Sequence, residues 1–561
     1  MARLSRTLLP TLKDPPADAE AVSHKLLVRA GMIRQMGTGL WTWLPAGWRS
    51  HRKVESIIRE ELDRIGAQEL SMPVLQPAEP WQATGRYGIE ELFKLEDRKG
   101  SPLVLAMTHE ECITGHMARE VRSYRDLPRI VYQFQVKERD EPRPRAGILR
   151  TREFVMNDAY SFDRDFEGLD HSYGLCIEAY DRIFDRTGLR WYRVESDVGM
   201  MGGTGAHEYM APCAAGEDTI ALGPGYAANL EVASAQAQGF ERPAGLAQPE
   251  EVDTPGLKTV GQVSGFLGVD PAALIKAVPV VTDSDEFILI LVRGDHQLNH
   301  VKLANALGET SRPAREDEIA DRLGPPGFIG PVGTGLRIIK DVAVSGGGLV
   351  AGANRPDAHL TGVEPGRDFD FEEMDVRTVV SGDLTGDGNE ITLEAAIEVA
   401  NIFKLGTRYS EPLGAGYLDK DGRENPIVMG SYGIGPARIV AAAAEQFSDE
   451  RGLVWPGPIA PWEVHLVSLA KAGEEAIEVA DRLYDELTEA GVEVVYDDRA
   501  AGPGQKLTDA ELLGCPLRVV VGRRGLAEGV FEVSERGSGT DHQVPLGDGS
   551  DAIIALARDR A

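Results

Sequence analysis

The chain lacks the features that mark membrane, secreted and metal-binding proteins. No apolar run approaches the roughly 18 residues that span a bilayer, and the N-terminus has no apolar core of a secretory signal. The four cysteines are scattered without a CxxC pair or a Cys/His cluster, so neither a disulfide framework nor a zinc site is indicated. We therefore expect a cytoplasmic protein with reduced thiols and no membrane contact.

Positive charge is also scarce. The chain has 59 Lys and Arg against 89 Asp and Glu, a net charge of -30. This balance excludes a protein that coats nucleic acid through a uniformly basic surface, but it leaves room for a local basic patch. With 561 residues, 42% of them hydrophobic and 26% charged, the composition is that of a globular protein with roughly three or four domains.

Residues 132–162 predict an antiparallel hairpin. Two short runs of alternating apolar and polar residues, 132–136 and 153–159, flank a loop with two prolines and a glycine. Residues 137–152 carry six basic side chains and three acidic ones. In so acidic a chain, this local reversal of charge predicts an anionic ligand.

The residue types in this hairpin suit a nucleotide. Arginine binds phosphate well because its planar guanidinium contacts two oxygens and stays charged at any relevant pH. Phe154, just past Arg152 on the second strand, offers a flat face on which a base can stack. The alternative is a solvated hairpin with Phe154 in the core, since charge runs usually mark exposed surface.

The residues before the hairpin predict a dimer interface. Apolar residues at helical spacing indicate an amphipathic helix over residues 54–65, with Gly66 as its C-cap. The run 68–75 has the composition of a strand, and Pro73 places that strand at an edge, because proline cannot donate to a sheet ladder. An ordinary domain edge is the alternative.

The segment LVLAMTHEE, residues 103–111, predicts a site for an ammonium group. A strand over residues 103–106 ends at a hydroxyl and two carboxylates, which can hold a cation by charge and hydrogen bond. Thr108 can equally be the N-cap of the next helix, with Glu111 as its capping-box partner. Both roles can coexist, with Glu110 left for the ligand.

Residues of about 235–395 predict a separate domain inserted into another. Short helices and apolar strands alternate there with glycine-rich connections, and the chemistry of the first half resumes at IFKLGTRYS. The predicted helices are residues 257–267 and 272–276, and the predicted strands are residues 277–282 and 287–292.

The segment SYGIGPARIVAAAAE, residues 431–445, predicts a phosphate site. Two glycines lead into a helix whose first turn contains Pro436, a position that tolerates proline. Arg438 lies in the same turn, where a cation opposes the helix dipole by about 0.3 to 1 kcal/mol. A bound anion would offset this cost, and a phosphate is the natural candidate.

From residue 462 onward, strands and helices alternate. This pattern predicts a small α/β domain with a largely parallel sheet and, without candidate catalytic residues, a binding role. The predicted strands are residues 464–469, 492–496 and 517–521, and the predicted helices are residues 474–490, 505–513 and 552–558.

These segments together resemble the class II aminoacyl-tRNA synthetases and, within them, the bacterial-type prolyl-tRNA synthetases. The helix and strand near Pro73 resemble motif 1 of that family, the RDE hairpin motif 2, and the GIGPAR helix motif 3. THEE resembles its TxE element. The stretches RDExRPRxG, REFxMxDAYSF and FKLGTxYS are intact and in order over essentially the whole chain.

The resemblance implies an α/β multidomain fold. The class II catalytic core, built on an antiparallel sheet, would comprise residues 1–234 and 396–459. An inserted α+β editing domain would comprise residues 235–395, and an α/β anticodon-binding domain residues 460–561. ATP and Mg²⁺ are the implied cofactors, tRNA(Pro) and L-proline the implied partners, and a homodimer the implied assembly.

The implied reaction is the ATP-dependent attachment of proline to tRNA(Pro) through prolyl-adenylate. By resemblance, Arg139 would contact the α-phosphate and Arg438 the γ-phosphate. Glu141 would contact the adenine amino group, and Phe154 would stack on the base.

The resemblance also implies two sites for amino acids. Thr108 and Glu110 would hold the imino group of proline. In the insert, Lys276, Asp341 and His359, with the GFIGP loop at residues 327–331, would hydrolyse Ala-tRNA(Pro), and Lys276 would position water without acting as a nucleophile.

Two positions depart from the family pattern. Asn401 stands where we expect histidine, and Ser431 where cysteine is frequent. Both lie near the implied proline pocket, so they concern proline affinity more than the type of reaction.

Two other functions compete with this interpretation. A threonyl-tRNA synthetase would share the core, but it uses zinc to read threonine and no cysteine here is placed for that. A catalytically silent tRNA-binding paralogue would have no need to keep Arg139, Glu141 and Arg438 together.

Overall fold

The computed structural model describes residues 2–469 and 475–559. They form two compact units. The first comprises the described residues up to Arg193, Val198–Glu217, and those from Ala395 onward; the second comprises Val194–Asp197 and Asp218–Glu394. The second unit thus begins before residue 235, the predicted start of the insert, and ends next to its predicted end.

A largely antiparallel sheet carries the candidate site of the first unit. Six of its strands, each paired with the next, follow the order Gly205–Pro212, Thr392–Gly406, Val428–Ile434, Glu153–Asp163, Arg129–Glu138 and Gln68–Glu69. Arg129–Glu138 and Glu153–Asp163 form the predicted hairpin, with Lys137 opposite Phe154. The hairpin prediction is therefore confirmed, with longer strands than the alternation indicated.

The helix Pro45–Arg64 includes almost all of the predicted amphipathic helix over residues 54–65. Its apolar residues Val54, Ile58 and Leu62 are fully buried in the core of the first unit, beside the helix Phe166–Thr187. The apolar face of this helix therefore packs within the chain, and the dimer interface over residues 54–75 stays a prediction.

The predicted strand over residues 68–75 is two strands in different sheets. Gln68–Glu69 lies parallel to Arg129–Glu138 at a sheet edge, whereas Leu75–Pro77 pairs with Pro102–Leu105. Pro73 lies between them, where its missing N–H costs no ladder hydrogen bond.

The first unit has further, mostly short elements outside this sheet. The helices are Val22–Arg29, Glu79–Ala83, Glu110–Glu120 and Pro436–Phe447. The smaller strands are Ile33–Gly37, Leu40–Trp43, Lys94–Glu96, Gly416–Leu418 and Glu424–Pro426.

The C-terminal part has its own six-stranded sheet. The order is Ala2–Arg3, Val494–Asp497, Val464–Ser468, Leu517–Val521, Val530–Glu535 and Asp541–Pro545, with the first four strands parallel and the last two antiparallel. The helices are Glu475–Glu489, Pro503–Leu513, Arg523–Glu528 and Gly549–Arg558. The predicted helix start at Glu474 lies outside the described residues.

The second unit is a mixed α and β structure. One sheet has the order Ser311–Pro313, Ile275–Thr282, Phe287–Arg293, Arg337–Asp341 and Glu372–Met374, and another the order Glu250–Asp253, Ala358–Val363 and Leu349–Gly352. Asp218–Gly223 pairs with Tyr226–Asn229. The helices are Val260–Leu267, His300–Leu307 and Glu316–Arg322.

The predicted helix over residues 272–276 is wrong. Asp270 caps only a short 3₁₀ turn, Pro271–Ala273, and the strand Ile275–Thr282 begins two residues later. Pairing with the apolar strand Phe287–Arg293 outweighs the helical propensity of the two alanines.

Candidate active site

One cleft in the first unit collects the residues predicted to bind ATP. It lies between the hairpin and the N-terminal end of the helix Pro436–Phe447, and about 630 Å³ of it, including space open to solvent, is free of protein atoms. Its lining includes Arg139, Glu141, Phe154, Glu398, Asn401 and Arg438.

Arg139 and Phe154 form the hairpin side of the cleft. The guanidinium carbon of Arg139 lies 5.1 Å from the ring centroid of Phe154, and its Nε donates to the Met107 carbonyl at 3.3 Å. Burial, together with the nearby charge of Arg438, lowers the pKa of Arg139. Two cations that repel each other in a partly desolvated cleft favour a polyanionic ligand.

Arg438 has a counter-charge within the chain. Its Nη1 donates to the carboxylate and to the backbone carbonyl of Glu398, both at 2.8 Å, and its Nε donates to the Leu149 carbonyl at 3.2 Å. The Glu398 carboxylate therefore offsets the unfavourable position of Arg438 at the helix N-terminus. This corrects the prediction from the sequence that a bound anion offsets it. The contacts also fix the guanidinium at the cleft.

The carboxylates of the cleft are held by hydrogen bonds that could not be predicted from the sequence. Arg150 Nε donates to Glu141 at 2.8 Å. Asn401 Nδ2 donates to Glu398 at 2.7 Å. Both acids are therefore oriented, and each still lines the cleft.

The candidate proline pocket is centred on Glu110. This side chain is 1% exposed and accepts hydrogen bonds from Thr108 and from Ser431, the latter at 2.9 Å. The helix Glu110–Glu120 has His109 at its N-cap position without a side-chain cap, and Glu111 instead accepts from Thr84 at 2.9 Å. The predicted capping box is wrong, whereas Thr108 and Glu110 do lie together.

A fully buried network lies behind this pocket. Lys137 Nζ donates to Asp158 at 2.7 Å and lies 2.5 Å from His109 Nδ1. His109 Nε2 lies 3.1 Å from the Pro73 carbonyl. Since a carbonyl only accepts, Nε2 carries the proton and Nδ1 accepts from the lysine. Burial, reinforced by Lys137, lowers the pKa of His109 to about 3, so this histidine is neutral and supports the pocket.

Asp341, predicted for the insert's site, is a structural acceptor. It is fully buried and accepts from the backbone N–H groups of Ala343, Val376 and Arg377 at 2.9 to 3.0 Å. Burial raises its pKa although these donors oppose the shift. The three hydrogen bonds use both carboxylate oxygens of Asp341 and hold the backbone at Ala343, Val376 and Arg377 in place.

Lys276 and His359 lie on different sheets of the second unit. Lys276 is on the strand Ile275–Thr282, and burial lowers its pKa against the opposing charge of Asp295. His359 Nδ1 lies 2.6 Å from Thr254 Oγ1, and its ring centroid is 5.6 Å from that of Phe328 in the GFIGP loop. Within the described part of the unit, no hydrogen bond or ion pair joins Lys276 to His359.

Family models match most of the chain. The "tRNA synthetase class II core domain (G, H, P, S and T)" matches residues 93–447, and the "Anticodon binding domain" matches residues 463–556. Among the described residues, no helix has the length and apolar character required to cross a membrane.

Curated relatives match over almost their full length. The proline–tRNA ligase of Thermodesulfovibrio yellowstonii is 47% identical over 95% of both chains. That of Syntrophotalea carbinolica is 46% identical over 99% of this chain and 98% of its own, and that of Bacillus pumilus 45% identical over 99% and 100%.

Solved structures share the fold. A prolyl-tRNA synthetase from Cryptosporidium parvum, complexed with L-proline and AMP, aligns with a TM-score of 0.59 at 14% identity over 98% of this chain and 78% of that one. The same protein complexed with halofuginone and AMPPNP aligns with a TM-score of 0.58 at 14% identity over 96% and 77%.

Proposed function

The chain belongs to the proline–tRNA ligase family of class II aminoacyl-tRNA synthetases, and we propose that prolyl-adenylate forms in the cleft between the hairpin and the helix Pro436–Phe447. The enzyme joins proline to tRNA in an ATP-dependent reaction. The observation that carries the proposed site is the convergence of Arg139, Phe154 and Arg438, from two separate motifs, on one cleft.

ATP fits the cleft with its phosphates between the two arginines. Arg139 binds the α-phosphate and Arg438 the γ-phosphate, which relieves the repulsion between the two cations. Phe154 stacks on the adenine, and Glu141, oriented by Arg150, accepts from the adenine amino group. The proline carboxylate then attacks the α-phosphorus in line: the new O–P bond forms, the bond to the β-phosphate oxygen breaks, and pyrophosphate leaves.

This step needs position and charge more than acid–base chemistry. Mg²⁺ fits the cleft because Glu398 offers carboxylate oxygens there, and this ion usually takes one or two carboxylates besides phosphates and water. The described residues hold no group of three or more potential ligands that would bind a metal alone. When bound, the ion would neutralise phosphate charge while the arginines orient the chain of phosphates.

Proline enters with its imino group toward Glu110. The secondary ammonium pairs with this carboxylate and donates to Thr108 Oγ1. Ser431 supports the pocket through its hydrogen bond to Glu110. Asn401 is held on Glu398 and lines the same cleft as Arg438.

The C-terminal sheet and helices, from about residue 460, bind the anticodon of tRNA(Pro). Their match to an anticodon-binding family supports this role, and single-stranded loops expose bases that side chains can read. The enzyme acts in the cytoplasm, where tRNA is used in protein synthesis.

The insert, residues of about 235–395, clears alanine from tRNA(Pro). A pocket for proline cannot strongly reject alanine, because missing methylenes are worth only about 1 to 3 kcal/mol, so accuracy calls for a second site. Lys276 and His359, with the GFIGP loop packed on His359, support this role. Asp341 takes part by fixing the backbone around Val376.

The enzyme acts as a homodimer. The strand edge at Gln68–Glu69 and the neighbouring Leu75, which is 48% exposed, provide surface for a two-fold contact. Light scattering of the active enzyme tests this assembly, and a fully active monomer at assay concentration would refute it.

Exchange of pyrophosphate into ATP tests the function. The exchange is expected to depend on proline and to be far weaker with threonine at equal concentration. A threonyl enzyme would reverse that preference, and a silent tRNA-binding protein would support no exchange with either amino acid.

A further inference from the structure

A buried arginine lies beneath the proposed proline pocket. Arg86 begins the short 3₁₀ turn Arg86–Gly88 and is 4% exposed. Its guanidinium carbon lies 5.2 Å from the ring centroid of Trp81 and 5.4 Å from that of Tyr409, and its Nη2 is 3.7 Å from Met201 Sδ. The side chain is thus fixed by aromatic faces on residues from distant parts of the first unit.

The guanidinium joins two buried carboxylates. Arg86 Nη1 lies 3.1 and 3.2 Å from the oxygens of Glu111 and 3.5 Å from Glu110 Oε2. Glu110 is 1% exposed and Glu111 is fully buried. Buried carboxylates are costly unless a cation or hydrogen-bond donors face them, and Arg86 is the cation that touches both.

The charge balance of this cluster matches a proline imino group. Two carboxylates and one guanidinium leave one negative charge, and the secondary ammonium of proline carries one positive charge. Burial raises the pKa of Glu111 while Arg86 works against that rise. Burial also lowers the pKa of Arg86, but the charges of Glu111 and Glu110 outweigh it and the pKa is raised.

We infer that Arg86 is a positioning residue for proline: by pairing with Glu111 and touching Glu110, it keeps a single uncompensated carboxylate charge at Glu110. This inference rests on the proposed function. Without Arg86, two adjacent buried carboxylates would share a proton, and Glu110 would lose part of the charge that pairs with proline.

Several other ionisable groups act on the same carboxylates. Lys137 is paired with Asp158, and Arg139 faces the nucleotide side of the cleft. The groups that interact electrostatically with Glu110 or Glu111 are Arg86, His109, Cys112, Lys137, Arg139, Tyr160 and Tyr409.

The test compares Arg86→Met with Arg86→Met/Glu111→Gln in proline-dependent pyrophosphate exchange between pH 6 and 9. Arg86→Met is expected to raise the KM for proline on the order of tenfold to a hundredfold, the size of a lost hydrogen bond to a charged group. The KM for ATP is expected to stay within about twofold, since Arg86 does not reach the nucleotide side of the cleft. The rise in the KM for proline is expected to be largest at pH 6. It should be smaller at higher pH, because the proton shared by the two carboxylates is lost there.

The double variant separates charge balance from packing. It again leaves one carboxylate charge, so the KM for proline is expected to return most of the way to the wild-type value. Glu111→Gln alone provides a second test in which Arg86 is kept. The guanidinium then faces Glu110 as its one remaining carboxylate and neutralises it. The KM for proline is therefore expected to rise, although the proposed pose has no contact between Glu111 and the amino acid. Thermal unfolding of each variant checks the fold.

Either of two results would overturn the inference. One is an unchanged KM for proline in both single variants. The other is an equal rise in the KM for proline and the KM for ATP that does not depend on pH and is not reversed in the double variant. That second result would indicate that Arg86 acts through packing alone. A wild-type enzyme without proline-dependent exchange would instead overturn the proposed function.

Discussion

The nucleotide cleft of the first unit and the proposed editing site of the second were both anticipated from sequence motifs, with different outcomes. In the first unit, Arg139, Phe154 and Arg438 line one cleft. In the second, Asp341 binds backbone N–H groups, while Lys276 and His359 lie on separate sheets. The candidate residues therefore carry different weight, depending on whether their surroundings leave them free for a ligand.

The physical difference lies in how each charge is compensated. Three arginines, Arg139, Arg150 and Arg438, line the cleft against two carboxylates, Glu141 and Glu398, so one positive charge is left for phosphate. Asp341 accepts hydrogen bonds from three backbone N–H groups, which engage both of its carboxylate oxygens. A buried ionisable residue indicates a site only when its partners leave charge or donors unused.

The largest expected effect is on the cleft. Arg139→Ala removes a donor aimed at the phosphate where charge develops, so proline-dependent exchange is expected to fall on the order of 100- to 1000-fold. Arg145→Ala is the matched control, because that arginine of the same loop is 61% exposed and its side chain, among the described residues, pairs only with Glu217. Its loss should change exchange by less than about twofold. Equal losses in both variants would mean that the whole loop, and not the cleft, had been disturbed.

The next effect is on stability. Asp341→Ala leaves two buried N–H groups and one partly buried N–H group without an acceptor, and the free energy of unfolding is expected to fall by about 3 kcal/mol. Asp321→Ala, at an exposed position on the helix Glu316–Arg322, serves as the control. Urea unfolding measures both. If Asp341→Ala keeps wild-type stability but loses deacylation of Ala-tRNA, Asp341 belongs to the editing chemistry after all.

A smaller effect is expected at Lys276. Lys276→Ala should slow deacylation of Ala-tRNA(Pro) roughly tenfold to a hundredfold through the loss of a positioning contact, with proline activation unchanged. Arg315→Ala, at a 62% exposed arginine of the same unit, is the control. Replacement of residues 235–395 by a short linker should abolish deacylation. A deletion variant that clears Ala-tRNA as fast as wild type would show that the insert is not the editing domain.

The smallest effect is a pH dependence from the network behind the proline pocket. The pKa of His109 is lowered to about 3 in the folded chain. The unfolded chain therefore binds one more proton as the pH falls below about 6.5, the ordinary value for histidine. The contribution of neutral His109 to the free energy of unfolding is therefore complete above that pH. It is lost, at up to about 1.4 kcal/mol per pH unit, as the pH falls toward 3.

His109→Gln is expected to flatten this dependence. Urea unfolding between pH 4.5 and 7 gives the slope of the free energy of unfolding against pH, and in His109→Gln this slope should fall by the equivalent of as much as one bound proton. His116→Gln, at an exposed position of the helix Glu110–Glu120, should leave the slope unchanged. The same slope in both variants as in wild type would show that His109 takes up its proton without unfolding.

Local patterns in the sequence predicted the elements that carry the site. The hairpin follows from alternation and turn residues, and the helix Pro436–Phe447 from its glycine entry and Pro436. Both are determined by residues close in the chain. The strand over residues 68–75 was misjudged because its two halves pair with different partners, Arg129–Glu138 and Pro102–Leu105.

Contacts between distant residues could not be predicted. Glu398 meets Arg438 from a neighbouring strand, and Arg86 meets Glu111 across a turn, with no spacing that marks either pair. Asp341 ends a buried strand, as a ligand-binding carboxylate often does, and only the fold shows the N–H groups that it accepts. The chemistry of a residue is visible in sequence, but its partners are determined by tertiary structure.

Arg438→Ala, measured for both reactions in one preparation, tests the central claim most directly. The claim is that adenylate formation depends on the cleft and deacylation on the insert. Single-turnover formation of prolyl-adenylate is expected to fall at least on the order of 100-fold, while deacylation of Ala-tRNA(Pro) and the thermal midpoint stay near wild type. Wild-type adenylate formation in this variant, or a parallel loss of both reactions at unchanged stability, would contradict the account.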